Sequence, residues 1–346
     1  MKTKDERLGI GIVGLGHIGP NHARVFNQCE DAKVVVCADL DQKRRDHFQK
    51  NFPTMEVIEQ AEEVFCRNEV DAVVIATPTK THYALAKRAL ECGKHILLEK
   101  PMCTSLEEAK ELVNLAKKLN LIIMHGHLVL YNRAVQFVRE GVLRGDFGKI
   151  QYLHTSRTNL GPIRNDINVI QDLATHEFSI FDFIFGALPQ WISAAGSRLL
   201  STPREDVAFI SMEYPDQILV HTHVSWLHPQ KTRLLTLVGD KKMVVLNDMD
   251  ISEPVKIYDK GIAEEPYYDS FGEFQMCLRD ADVHIPKLTL DEPLLAQAQA
   301  FVNRILKGIL TLSEAETGLR MMKCVEACQE SLRQQGRRVY LEGGTL

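Results

Sequence analysis

A run of apolar residues, Leu8 to Val13, stops at Gly14-Leu15-Gly16-His17-Ile18-Gly19, and a helical pattern opens at Pro20. Proline in a first turn costs no helical hydrogen bond. Strand, G-x-G-x-x-G and helix, in that order, leave few folds open. Gly14 permits a tight turn, Gly16 lets the backbone approach an anionic ligand, and Gly19 lets the helix pack close to the strand. The helix N-terminus favours negative charge, because its first N–H groups have no intrahelical acceptor. A second apolar strand, Lys33 to Ala38, ends at Asp39, 20 positions beyond Gly19. A carboxylate there accepts hydrogen bonds from both ribose hydroxyls of an adenosine and repels a 2′-phosphate. The segment therefore predicts a dinucleotide site that prefers NAD to NADP, with His17 and Ile18 inside the phosphate-facing loop. Lys43, Arg44 and Arg45 follow; they read as a solvated helix start, the alternative being a cluster that offsets a phosphate.

The alternation continues. Helical stretches at Gln42 to Lys50 and Ala61 to Arg67 precede a strand, Asp71 to Ala76, that ends in Thr77-Pro78. A helix from Thr81 to Cys92 closes at Gly93, and His95 to Leu98 is the next strand. Ser105 to Leu119 is amphipathic, and Leu121 to Met124 is a further strand. Strands apolar on both faces, alternating with helices, predict an α/β Rossmann domain with a doubly wound parallel sheet.

At 346 residues the chain exceeds what one core usually supports, so a second domain is expected. The division is placed at 1–125 and 126–346. After Gly126 a helix from Asn132 to Leu143 precedes strands with few helices among them: Ile150 to Thr158, Ile192 to Leu200, Val207 to Glu213, Ile218 to Leu227, Thr232 to Val238, Met243 to Leu246 and Val255 to Tyr258. Such a run predicts an α+β domain with a large open, mostly antiparallel sheet. Two helices finish the chain, one capped by Asp291 and one opened by a Ser313–Glu316 capping box; they are candidates to pack back on the first domain.

Composition narrows the function classes. A net charge of −5 argues against nucleic acid as the partner. The apolar runs are strand-length, so no membrane span is expected, and the charged start of the chain does not read as a signal peptide. With 8 cysteines and no C-x-x-C pair, a reduced cytoplasmic protein follows. His125 with His127, and His221 with His223, each supply half a metal site at most, so no metal is expected.

Glu99-Lys100-Pro101 closes the fifth strand of the first domain, Ala76-Thr77-Pro78 with His82 stands at the fourth, and Asp172-Leu-Ala-Thr-His176 lies in the second domain. In this combination the whole chain resembles the Gfo/Idh/MocA oxidoreductases, and within them the nucleotide-sugar 3-dehydrogenases and inositol dehydrogenases. Thr79 departs from the asparagine that many relatives carry. The resemblance implies NAD as cofactor, held by Gly14, Gly16, His17, Ile18, Gly19, Asp39, Thr77, Pro78, His82, Glu99 and Lys100. It implies Lys100 and His176 as the catalytic pair, with a cis bond before Pro101, and it places Tyr131 and Asn132 at the opening of the substrate pocket.

Residue chemistry agrees with those roles. Oxidising a carbinol by hydride loss also requires the hydroxyl proton to leave, so a base and a positive donor are needed at its oxygen. Lys100 sits where open α/β sheets bind ligands, at the carboxyl end of a strand. Asp172 and His176, at i and i+4, share a helix face, and Asp172 could orient the imidazole or contact the sugar. Arg157 and Arg164 flank a Gly161-Pro162 loop; a guanidinium there could hold a carboxylate or diphosphate, exposed loop arginines being the alternative. The expected activity is oxidation of a secondary hydroxyl of a sugar or nucleotide sugar, at C3 in the nearest branch of the family. Inositol 2-dehydrogenase or aldose dehydrogenase activity is the alternative, and a non-catalytic NAD-binding sugar sensor is the alternative of another class. A homo-oligomer, dimer or tetramer, is expected through the open sheet, with Val220, Val224 and Trp226 as the side chains needing cover.

Overall fold

The computed structural model describes residues 7–164, 166–200, 202–263, 277–279, 282–289 and 291–341. The chain divides into two compact units, Met1–Asn132 with Asp291–Glu326, and Arg133–Leu290 with Ala327–Leu346. The first unit holds six parallel strands: β1 (Leu8–Val13), β2 (Ala32–Ala38), β3 (Glu56–Ile58), β4 (Ala72–Ile75), β5 (His95–Glu99) and β6 (Ile123–Gly126). Their order is β3-β2-β1-β4-β5-β6. This is the doubly wound Rossmann arrangement, with its order reversing between β1 and β4, where such sheets take their ligand. The helices are α1 (Gly19–Gln28), α2 (Gln42–Asn51), α3 (Ala61–Cys66), α4 (His82–Glu91) and α5 (Leu106–Leu119). Apolar strand side chains such as Val13, Val36, Val73, Ile75 and Leu98 form the core with Ala86, Leu90 and Leu112 from the helices. Edge strand β3 is too short to show a period and was not expected.

In the second unit β7 (Ile150–Leu160), β8 (Trp191–Ser197), β9 (Val207–Tyr214), β10 (Ile218–Ser225), β11 (Leu227–Gly239), β12 (Met243–Asn247) and β13 (Val255–Tyr258) match the expected strands closely. Beyond them, β14 (Gly261–Ala263) and β15 (Cys277–Arg279) form a separate pair. With β16 (Val283–His284) and β17 (Val339–Tyr340), the large sheet runs β16-β13-β12-β11-β7-β10-β9-β8-β17. It is mostly antiparallel; β7 and β10 pair parallel. Helices α6 (Arg133–Arg144) and α7 (Thr175–Phe185) belong to the same unit.

The expected faces of this sheet are reversed. Val220, Val224 and Trp226 are each 0% exposed, covered within the chain, whereas Tyr152, Phe209 and Leu219 point outward at 46%, 47% and 49%. Alternation says which residues share a face; which face the helices cover is a tertiary matter.

Residues 291–326 group with the first unit. Helix α8 (Pro293–Lys307) meets α1 through an Arg24–Glu292 ion pair and Phe26 against Phe301. Its N-cap is Glu292 in place of the expected Asp291. Before α9 (Ala315–Arg333), the Glu314 carboxylate accepts from the Thr311 backbone N–H at 2.8 Å, while Glu316 pairs with Lys117 at 2.7 Å. The Thr311 hydroxyl also donates to the Glu314 carboxylate, at 3.0 Å, which fastens the turn before α9.

Candidate active site

The first unit's candidate residues lie at the carboxyl ends of β1, β2, β4 and β5. Gly14 has φ +98°, where a side chain would be strained. A Cβ on it would stand 2.7 Å from the Ala76 carbonyl, and one on Gly19 would stand 1.9 Å from the Gly14 oxygen. Both positions are closed to any side chain. Gly16, by contrast, is open: a Cβ there would meet only Arg44 Nη1, at 3.8 Å. The turn thus offers bare backbone and the α1 N-terminus to an anion, with His17 exposed and Ile18 at the N-cap. Asp39 Oδ2 accepts from the Leu15 N–H at 2.7 Å, and Oδ1 accepts from the Asp41 N–H at 2.9 Å. The carboxylate is therefore fixed against the glycine turn. Arg44 Nη1 lies 3.6 Å from it, while Arg45 donates to the carbonyls of Asp39 and Leu40. A closed turn, an open Gly16 and a fixed carboxylate fit the pyrophosphate and adenosine ribose of a dinucleotide.

At the end of β4, Thr81 donates its hydroxyl proton to Thr77 Oγ1 at 2.7 Å, and Pro78 is exposed. Thr79 is buried, its hydroxyl without a hydrogen-bond partner among the described residues. His82 is 1% exposed, with Nε2 2.9 Å from the Thr77 carbonyl and Nδ1 2.9 Å from that of Pro101. Burial lowers its pKa, and the carbonyls of Thr77 and Pro101, between which the ring stands, oppose this. The turn after β5 carries the cis Lys100-Pro101 peptide. Since β4 separates β1 from β5, half-buried Lys100 stands about 10 Å along the sheet edge from the glycine turn.

Glu99 is held from several sides. Its Oε1 lies 2.8 Å from His22 Nε2, and Oε2 accepts from the Lys100 N–H at 3.2 Å. Burial pushes the carboxyl up, but the hydrogen bond and charge of His22, with the charge and amide of Lys100, hold it below the ordinary range. On β6 and just after it, His125 and His127 are buried with ring centroids 4.0 Å apart. Burial and then the charge of Lys100 lower His127 to about 3, so it is neutral. Tyr131 closes a short turn, 7% exposed, with its hydroxyl 3.3 Å from Ser313 Oγ; half-buried Asn132 follows.

The second unit's candidates cluster around one irregular helix. Residues Ile170–Ala174 form a π-helical turn that runs into α7. Asp172 lies in the π-turn and half-buried His176 in the first turn of α7, so the regular i, i+4 face expected of them is replaced by a junction of two helical pitches. Asp172 Oδ2 accepts from the Trp226 indole N–H at 3.0 Å, and Oδ1 lies 3.5 Å from Arg164 Nη1. Arg164 also pairs with Asp166 at 2.7 Å. Arg157 lies inside β7, not in a loop; 8% exposed, it forms a buried ion pair through Nε with Glu177. Arg157 is thus turned to Glu177 beside His176, and the Arg164 guanidinium is held by the carboxylates of Asp166 and Asp172.

His22, Glu177 and Trp226 were not anticipated in these surroundings. The one local signal for His22 is its place among the buried positions of α1. Among the described residues no group of three or more His, Cys, Asp or Glu is arranged to hold a metal ion, and no helix is long and apolar enough to cross a membrane.

Residues 8–127 match the oxidoreductase family with an NAD-binding Rossmann fold, and residues 139–341 match that family's C-terminal alpha/beta domain. The chain belongs to the Gfo/Idh/MocA oxidoreductases and is an NAD-dependent enzyme. It is 26% identical to UDP-N-acetylglucosamine 3-dehydrogenase of Acidithiobacillus ferrooxidans over 90% of this chain and 93% of that one. It is 28% identical to myo-inositol 2-dehydrogenase of Thermotoga maritima, over 56% of this chain and 59% of that enzyme. The fold matches that of GenD2 from gentamicin A biosynthesis, solved with NAD, at a TM-score of 0.83 and 20% identity, covering 99% and 98% of the two chains.

Proposed function

We propose that the enzyme oxidises a secondary hydroxyl of a sugar, with a nucleotide sugar oxidised at C3 as the specific reading. The observation that carries this is Lys100 at the end of β5, on the same sheet edge as the glycine turn and beside a locked Glu99. The nearly full-length likeness to a UDP-N-acetylglucosamine 3-dehydrogenase supports the substrate class. Gly14, Gly16, Gly19 and the α1 N-terminus would hold the pyrophosphate of NAD, Asp39 its adenosine ribose, and the ends of β4 and β5 its other half. When bound, the nicotinamide supplies the hydride acceptor. Lys100 and His176 act on the carbinol oxygen, one taking its proton and the other stabilising the negative charge that develops. Asp172, fixed by Trp226, and Arg164 bind the polar groups of the substrate; Tyr131 and Asn132 shape its opening. Arg157 acts through Glu177 and α7.

An inositol is the second reading, favoured by the inositol dehydrogenase among the relatives. The test is a panel of UDP-sugars, free sugars and inositols, scored by the near-ultraviolet absorbance of NADH. Turnover with a UDP-sugar at least tenfold above the inositols supports the first reading; the reverse order supports the second. No reduction of NAD by any of them contradicts both and leaves the non-catalytic sensor.

A second copy of the chain is the proposed partner at the outward sheet face, in a cytoplasmic dimer or tetramer. Tyr152, Phe209 and Leu219 stand there with stacked His154, His221 and His223. Large outward side chains on adjacent central strands make a patch of the kind that marks an interface.

A further inference from the structure

We propose that His22 is a positioning residue, which fixes the Glu99 carboxylate and through it ties the cofactor-binding helix α1 to the strand end that carries Lys100. The inference rests on the reading of Lys100 as an acid–base residue.

His22 is 1% exposed in the first turns of α1, the helix whose N-terminus faces the glycine turn. Its Nδ1 has no hydrogen-bond partner among the described residues, and its Nε2 lies 2.8 Å from Glu99 Oε1, where an N–H donates to the carboxylate. The other oxygen of Glu99 accepts the Lys100 N–H. Across the sheet Gly126 leaves no slack: a Cβ there would lie 3.0 Å from Glu99 Cα and 3.1 Å from Oε2. The carboxylate is thus pressed against β6 on one side and closed by His22 on another. A buried carboxylate that loses its charged or strongly polarised donor turns away or takes a proton. Either outcome releases the constraint on the Lys100 backbone, and small misplacements of a reacting group cost up to about 100-fold in rate. His22 touches neither the substrate oxygen nor the transferred proton in this account; its effect passes through Glu99.

The test compares His22→Leu, which removes the donor at similar volume, with His22→Gln, whose amide keeps an N–H at the place of Nε2. Glu99→Gln and Lys100→Met are made in parallel, all in the full chain. The first readout needs no cofactor: with ¹³C-carboxyl glutamate, the Glu99 resonance is assigned by its loss in Glu99→Gln and titrated. The midpoint is expected to rise in the order original, Gln variant, Leu variant, by about one pH unit or more at the end of the series. The second readout is the acid limb of kcat on the active substrate, expected to move upward in the same order. Turnover of the Leu variant should fall about 10- to 100-fold, with NAD affinity within about threefold. If the Leu variant does not fold, the Gln variant must still titrate above the original. An unmoved Glu99 midpoint, or a Gln variant no closer to the original than the Leu variant, overturns the proposal. A Lys100→Met enzyme that keeps full turnover while Glu99 shifts as expected overturns the reading of Lys100 and leaves the Glu99 contact standing. An inactive Lys100→Met with Glu99 unmoved removes His22 alone.

Discussion

Replacing Glu177 with glutamine tests the support of the second unit's candidates. The Glu177 side chain is 3% exposed and that of Arg157 is 9%, so the charges are paired out of water. A second guanidinium is close. Burial, then the charge of Arg157, lowers Arg233 to about 10, and Glu177 is among the groups that oppose this. Neutralising Glu177 therefore leaves two cationic groups facing each other in a poorly solvated place. Breaking a buried pair from one side costs about 3–5 kcal/mol. For a unit of this size each kcal/mol lowers the melting temperature by about 2–4 °C, so Glu177→Gln should melt about 10 °C lower. Differential scanning calorimetry with a urea titration reads both quantities. The double variant Arg157→Met/Glu177→Leu should recover most of the loss, because it removes both charges at once. Because Glu177 adjoins His176, turnover should fall in the single variant even where the protein is fully folded. A Glu177→Gln protein within about 1 kcal/mol of the original, or a double variant that costs the sum of its parts, would refute the reasoning.

Three further outcomes are expected. His127 is held near 3 when folded and has an ordinary value of 6.5, so between these values only the unfolded chain takes the proton. Stability is then complete above the ordinary value and falls as the pH drops, by about 2 kcal/mol at pH 5 from His127 alone. His125, shifted the same way, steepens the fall, and urea titrations across this range that show a flat profile would contradict it. Asp39→Ala should weaken NAD binding and narrow the preference over NADP; equal or tighter NADP binding by the original protein, measured by fluorescence titration, would sink the assignment. Phe209→Glu, on the outward sheet face, should convert the oligomer to a monomer in light scattering, whereas an original protein that is monomeric at micromolar concentration removes the interface.

The glycine turn and the strand end that faces it were legible because their rules are local. A turn that requires Gly14, a close approach at Gly16 and an acid at the end of β2 are written within about 30 residues. The strands of the second unit were equally plain, since their period and turns are short-range. Partnerships were not. His22 and Glu99 stand 77 residues apart, and Arg157 and Glu177 stand 20 apart, so no spacing rule joins them. Arg157 looked like a loop residue because Gly161-Pro162 follows it, yet the strand runs on to Leu160. The π-turn at Asp172 has no residue signature, and it changes the angle between Asp172 and His176 that a uniform helix would give. Sidedness failed for the same reason: Val220 and Tyr152 occupy opposite faces by alternation, and only packing decides which face is covered.

The central claim is that Lys100 serves the carbinol chemistry beyond any contact it makes with NAD, and Lys100→Met addresses it directly. Methionine keeps most of the apolar stem and deletes the ammonium. Steady-state turnover on the active sugar and the dissociation constant of NAD are measured on the same preparation. Turnover should fall by about 10²–10⁴-fold, the range for a positioned acid–base group, with NAD binding within about threefold, because the glycine turn and Asp39 are untouched. A folded Lys100→Met enzyme that turns over within about threefold of the original, or one whose loss is explained by weakened NAD binding, would place the chemistry elsewhere.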